Sequence, residues 1–294
     1  MTRREWISGA LLAHVGSDRP LGIQLYTVRE VLPKDPERVF RALAAIGYRE
    51  MEGRLGQLEG HFPLLQELGM QWMNWMIPTP AITGNYDLWQ QFMQQAASKM
   101  KVTLPPEPRS PLGELIATAK KHGVRNLGVS YLLPKERESL PSVIDQLNRA
   151  GEQCRKAGLT LYYHNHAWEF EGEPGKRPID LLMARLGKDV MFEVDIFWST
   201  VGGQNPAKLL DSLHGRVLSL HLKDIAKDTP VGYSETAVPH SAFRDAGDGV
   251  MDWTAILGAA KAAGVRHYFV EQDYPAGDPL ESARKSYQFL KKAA

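Results

Sequence analysis

The chain of 294 residues has one cysteine, Cys154, so no disulfide can form within it. Cys154 falls in a helical pattern (RAGEQCRKAG) where a buried structural thiol accounts for it, and it is assigned no chemistry. No apolar run approaches the roughly 18 residues that cross a bilayer, so no transmembrane helix and no membrane partner are expected. An excess of either charge is missing too. Thirty-five Lys and Arg stand against 34 Asp and Glu, a formal net charge of +1, which leaves no global surplus of positive charge to neutralise a phosphate backbone. A nucleic-acid partner is therefore not expected. There is also no P-loop or clear phosphate-cradling Gly-rich motif, and GDGVMDW reads first as a loop leading into a helix.

What is present is the composition of an ordinary globular protein, 43% hydrophobic and 23% charged, with enough chain to bury a large core. An α/β barrel of about 250 residues fits this length as a single unit. The first twenty residues are set apart as an N-terminal extension. Arg3 and Arg4 precede a short apolar stretch from Ile7 to Val15, a pattern that resembles a twin-arginine export signal. Ser8, Gly9 and His14 interrupt that stretch and no A-x-A cleavage site follows, so a frayed terminal helix is the alternative. The expected location is accordingly cytoplasmic, or periplasmic if the segment directs export.

From Leu21 onward, short β-branched or aromatic runs alternate with amphipathic stretches, as parallel βαβ units do. The expected strands are Leu21–Thr27, Tyr48–Glu52, Gln71–Ile77, Arg125–Tyr131, Leu159–His166, Val190–Asp195, Val217–Lys223 and Arg266–Gln272. Helices are expected near Pro36–Ile46, Gly60–Leu68, Tyr86–Met100, Ser139–Ala157, Ile179–Leu186, Pro206–Leu213, Trp253–Ala263 and Pro279–Lys291. Gly47, Gly69, Gly158 and Gly264 stand just past helix ends, and Pro36, Pro206 and Pro279 in first helical turns. Eight such units closing on themselves leave no sheet edge exposed, so residues 21–294 are expected to form a single (β/α)8 TIM barrel. The stretch 103–110 (TLPPEPRS) is read as a loop inside this repeat rather than a linker.

A closed barrel is filled by side chains, so a site can form only where the strands end and the βα loops begin. The first strand ends at Tyr26-Thr27-Val28-Arg29 and the second at Glu52. The fifth ends in Tyr163-His164-Asn165-His166 with Glu169 beyond, and the sixth at Asp195 before Trp198. The seventh ends in His221-Leu222-Lys223-Asp224 and the eighth in Glu271-Gln272-Asp273. A lone His there is more often a packing residue, and a lone Asp often a helix cap. Gathered at one mouth, however, repelling carboxylates call for a cation. Mixed imidazole and carboxylate ligands suit one divalent ion such as Mn, Co or Zn better than Ca.

At these residues the chain resembles the xylose isomerase-like superfamily, in its sugar phosphate isomerase/epimerase branch with a YHNHxxEF motif. The segments carrying the resemblance are LGIQLYTVRE, IGYREMEG, LYYHNHAWEF, MFEVDIFW, GRVLSLHLKD, GDGVMDW and YFVEQD, in order between Leu21 and Leu290. The resemblance implies a metal shell of Glu, Asp, His and Glu from the last four strands. By position the last three fall on Asp195, His221 and Glu271. The first does not match: either His164 is the fourth ligand or Glu169 reaches back to replace it, and His164 is favoured because a strand end holds a ligand better than a loop.

The same resemblance implies chemistry on a carbon acidified by a neighbouring carbonyl, with a base removing a proton and an acid returning one. His166, Glu271 and Glu169 are the candidates for base and acid, and Lys223 for an electrophile or anion partner. Tyr26, Glu52, Trp75, Asn165 and Trp198 are the candidates for contact with a small carbohydrate. An isomerase or epimerase of a keto-sugar is the first expectation. A lyase or hydratase on a 3-keto-glycoside or an inosose is the alternative, while a DNA-repair endonuclease or a sugar-binding barrel without catalysis ranks lower. Self-association into a homo-oligomer is left open.

Overall fold

Eight short strands form where the β-branched and aromatic runs are. They are β1 (Leu21–Gln24), β2 (Glu50–Gly53), β3 (Gln71–Met76), β4 (Asn126–Val129), β5 (Thr160–His164), β6 (Val190–Asp195), β7 (Val217–Leu222) and β8 (His267–Val270). The structure, a computed structural model, describes residues 20–100 and 109–293. All eight strands are parallel, each pairs with its neighbours in sequence, and β8 closes on β1. The expected TIM barrel is therefore present. The N-terminal extension with its arginine pair lies outside the described residues apart from Pro20, as does the loop 103–110 apart from Arg109 and Ser110.

Helices Pro36–Ile46, Tyr86–Met100 and Trp253–Ala263 have the expected bounds. Asp35 starts the first by accepting from the Arg38 backbone N–H at 3.1 Å, and Asp252 starts the last by accepting from Ala255 at 3.0 Å. Gly264 ends the last in the left-handed conformation, φ 78°, which costs a glycine nothing. One full helix was not foreseen. Leu112–Lys121 buries Leu112, Leu115 and Ala119, one stripe at helical spacing directly after the proline-rich stretch. Also unforeseen are the short helices Pro134–Glu138 and Ile196–Val201 and an antiparallel ribbon that pairs Asp224–Ile225 with Phe243–Arg244.

Two strands stop earlier than their apolar pattern. β1 ends at Gln24 because that side chain accepts from the Tyr26 backbone N–H at 3.0 Å and opens a 3-10 turn, Leu25–Val28. β5 ends at His164 because the Glu169 carboxylate takes the His166 backbone N–H at 2.9 Å, ahead of a second 3-10 turn, Trp168–Phe170.

The main apolar core lies between the barrel and its helices, where Ile23 and Leu25 meet Val39, Phe40 and Leu43. The inside of the barrel is different. Gln24, Glu52, Asn74, Asn126, Glu193 and Ser219 are all buried and joined to one another by side-chain hydrogen bonds. Gly128 on β4 makes room for this layer, since a Cβ there would stand 2.1 Å from the Tyr162 ring that crosses to reach Glu52. Charged and amide groups buried this deeply persist only when paired, so the polar interior points to what stands above it.

Candidate metal centre

His164 and Asp195 end β5 and β6, His221 is the last residue but one of β7, and ligand atoms of all three lie within 4.8 Å of one another. Asp195 and His221 are register partners, so the barrel sets them side by side. His221 Nδ1 stands 3.6 Å from Asp195 Oδ2 and 3.1 Å from Glu271 Oε2, and His164 Nε2 stands 3.9 Å from Asp195 Oδ2. Atoms sharing one ion at about 2.0–2.3 Å stand about 3–4 Å apart, so these spacings fit a common ligand set. Asp195 does two things at once. Its Oδ1 accepts from the Trp198 backbone N–H at 2.9 Å and caps the helix Ile196–Val201, while its buried Oδ2 faces the Lys223 ammonium and the two imidazoles.

Lys223 stands at the edge of this group, fully buried. Its ammonium is 2.8 Å from Asp195 Oδ2 and 3.0 Å from Asp273 Oδ2, and it donates a short hydrogen bond to Glu271. Burial works against its charge, but Asp195, Asp273 and Glu271 hold its pKa well above that of an ordinary lysine. Burial likewise pushes the Asp195 carboxyl up, yet Lys223 and the imidazoles hold it at about 2. Glu271 is held well below the usual carboxylate range against its own burial, by Lys223 and His221. Burial raises Asp273 to about 6. Against its own burial, Glu193, Glu52 and Glu271 hold the His221 pKa well above the ordinary value, and with three carboxylates and one ammonium around the two histidines the group is a candidate holder of a divalent cation. Burial and the neighbouring His221 hold His164 down to about 4, so at neutral pH it is the neutral imidazole that metals bind.

His166 is 5.0 Å from the His164 ring and 5.5 Å from the Trp198 ring, centroid to centroid. Its Nδ1 is buried and has no hydrogen-bond partner among the described residues. Burial, with His164 and the Lys223 ammonium nearby, holds its pKa well below the ordinary value. It is therefore a neutral base beside the cluster. At the mouth Tyr26 is 39% exposed, with the Arg29 guanidinium 4.0 Å above its ring, and its phenol pKa is raised by burial and by Asp273 and Glu271.

The structure places four of the expected site residues in other surroundings. Glu169 does not reach back to the metal residues or the mouth: it is fully buried, with Oε1 taken by the Tyr163 hydroxyl at 2.8 Å and Oε2 by the His166 backbone. Trp75 faces the core between barrel and helices, 3% exposed and 5.1 Å from the Trp72 ring, because the alternation of β3 turns Asn74 inward instead. Asn165 is spent on the backbone, accepting from Asp195 N–H at 3.1 Å and donating to the His166 carbonyl at 3.2 Å. Glu52 is fully buried beneath His221, 2.6 Å from its Nε2.

Two acids went unassigned in the sequence. Glu193 and Asp273 both line the cluster, Glu193 Oε2 standing 3.2 Å from His164 Nδ1 and 3.2 Å from His221 Nε2. A signal for Glu193 existed. It stands two residues before Asp195 on an otherwise apolar strand, hence on the same face.

Residues 111–293 match the family model described as xylose isomerase-like TIM barrel. The inosose dehydratase of Geobacillus thermodenitrificans (strain NG80-2) is 30% identical over 159 residues, 51% of this chain and 53% of that protein. The inosose dehydratase of Clostridium botulinum (strain Alaska E43 / Type E3) is 28% identical over 159 residues, 50% of this chain and 52% of that protein. The match thus spans about half the length of these curated relatives. Among solved structures, a sugar phosphate isomerase/epimerase from Parabacteroides distasonis ATCC 8503 superposes with a TM-score of 0.68 at 21% identity, covering 95% of this chain and 96% of its own. The IolI protein with a bound zinc atom superposes with a TM-score of 0.63 at 16% identity, covering 93% and 96%.

Proposed function

This chain belongs to the xylose isomerase-like TIM barrel family, and from that premise we propose that it is a metal-dependent lyase that dehydrates a small cyclic keto-polyol or keto-sugar. The observation carrying the reading is the buried, partner-free His166 Nδ1 beside the cluster of His164, Asp195 and His221. The residues fit one divalent ion, since ligand atoms of His164, Asp195 and His221 converge within 4.8 Å of one another and the donor set mixes imidazole with carboxylate. His164, Asp195, His221 and Glu271 would hold it, Glu271 from the edge of the group. When bound, such an ion polarises the substrate's carbonyl and hydroxyl oxygens.

His166 takes the proton from the carbon next to the carbonyl. The C–H electron pair then forms the new C=C bond as the β-hydroxyl departs, and the imidazolium returns its proton to that hydroxyl, giving water and an enone. Glu271 is the poorer base because Lys223 and His221 stabilise its carboxylate. Lys223 keeps Asp195 and Glu271 ionised, Trp198 packs beside His166 from the apolar core, and Tyr26 offers a flat face to the ring at the mouth. The inosose dehydratases among the relatives favour elimination over isomerisation. Isomerisation or epimerisation is the second reading: it shares proton removal and differs in returning the proton to carbon.

The test is a panel of inososes and keto-sugars incubated with Mn-, Co- or Zn-loaded protein in deuterated water and followed by proton NMR. Vinylic signals are expected from at least one substrate; deuterium at the carbon next to the carbonyl without them favours the second reading. Metal bound with neither outcome on any substrate overturns both.

A further inference from the structure

The two histidines of the cluster are turned in opposite senses. His164 points Nδ1 into the barrel, 3.2 Å from Glu193 Oε2, and Nε2 toward Asp195. His221 points Nε2 into the barrel, 2.6 Å from Glu52 Oε1, and Nδ1 toward Asp195 and Glu271. Each ring therefore has one nitrogen against a fully buried glutamate and the other facing the cluster.

We infer that Glu193 and Glu52 are positioning residues that hold His164 and His221 in opposite tautomers, presenting His164 Nε2 and His221 Nδ1 as the metal-binding nitrogens. A neutral imidazole donates from one nitrogen and accepts from the other, so an acceptor beneath the ring decides which lone pair faces upward. The acceptors cannot swing away. Glu52 also takes hydrogen bonds from Gln24 at 2.6 Å, Asn74 at 2.9 Å and Tyr162 at 2.8 Å. Glu193 takes the Ser219 hydroxyl at 2.6 Å, and Asn74 reaches both acids. The polar interior of the barrel thus serves as the support of the site above it. This rests on the proposed metal centre, whose ligands it assigns atom by atom.

The experiment uses the full chain with Zn2+ as the probe, and reads the ring nitrogens by 15N NMR of histidine-labelled protein. The expected result is a protonated Nδ1 on His164 and a protonated Nε2 on His221. The same nitrogen protonated in both rings, or the reverse pattern, overturns the inference, and this reading needs no variant to fold. Zn2+ affinity, measured by competition with a chelator, supplies the second arm. Glu193→Met removes the acceptor and should weaken binding about 10–100-fold. Glu193→Gln keeps a carbonyl oxygen and should stay within about threefold of the parent. Glu50→Gln is the control: Glu50 makes a similar 2.8 Å contact with His267 outside the cluster and should leave affinity unchanged. Equal loss in both Glu193 variants, or loss in neither, contradicts the positioning role. A parent that binds no Zn2+ at all instead removes the metal reading, and this inference with it.

Discussion

Nothing among the described residues holds His166 Nδ1, while its backbone N–H and carbonyl are both fixed, by Glu169 and by Asn165. A ring aimed in this way suits proton transfer, and His166→Asn should leave metal content near that of the parent while lowering turnover about 10²–10⁴-fold. His164→Asn should instead reduce metal occupancy. Elemental analysis beside a rate assay separates the two. The acid limb of the pH profile has a sign as well. Because burial keeps the His166 pKa below 6.5, kcat/KM should rise with pH to a plateau reached on the acid side of 6.5. A limb centred above 7 would assign the base elsewhere. Much of this site was legible in the sequence, since His164, His166, Asp195, His221, Lys223 and Glu271 all stand at strand ends on polar-inward alternation. Glu193 was less legible because a carboxylate one row inside a strand reads as an isolated core polar group, and Asp273 because it lies in the loop past the end of β8.

At the level of elements, the turn after β5 shows what alternation cannot reveal. The apolar pattern runs on to His166, but a side-chain-to-backbone bond from Glu169 ends the strand two residues earlier. Burial raises the Glu169 carboxyl to about 8. In the unfolded chain it ionises near 4.5, so between these values the unfolded state gives up a proton that the folded state keeps. Its contribution to stability is fully present below about pH 4.5 and is lost as pH rises through about 8. Compared with Glu169→Gln, the parent should therefore lose thermal stability from pH 5 to 8 and change little above that, in melts followed by circular dichroism. Trp75 tests the face assignment of β3. Trp75→Ala should cost about 3–5 kcal/mol, as large aromatic truncations in a core do, with KM unchanged in whatever variant remains folded. The helix Leu112–Lys121 is harder to read from the sequence because it starts directly after the proline-rich stretch 103–110, with only Leu112, Leu115 and Ala119 as its buried stripe.

Taken whole, the barrel was legible because its eightfold alternation admits few other closures, whereas the polar layer inside it depends on contacts between strands far apart in sequence. Glu52 and His221 are 169 residues apart. No helix among the described residues is long and apolar enough to cross a membrane. A bound ion should stabilise the closed barrel, by about 4 kcal/mol at a thousand times its dissociation constant, seen as a higher melting temperature with Zn2+, Mn2+ or Co2+ than with chelator. The most direct measurement is an anomalous difference map from crystals of the Zn-loaded protein, collected at the zinc edge. A single peak is predicted about 2.0–2.3 Å from His164 Nε2, His221 Nδ1 and Asp195 Oδ2, with Glu271 completing the shell. A peak lower in the barrel between Glu52, Glu193 and His221, the other group able to hold an ion, or no peak near these residues at all, would contradict the account.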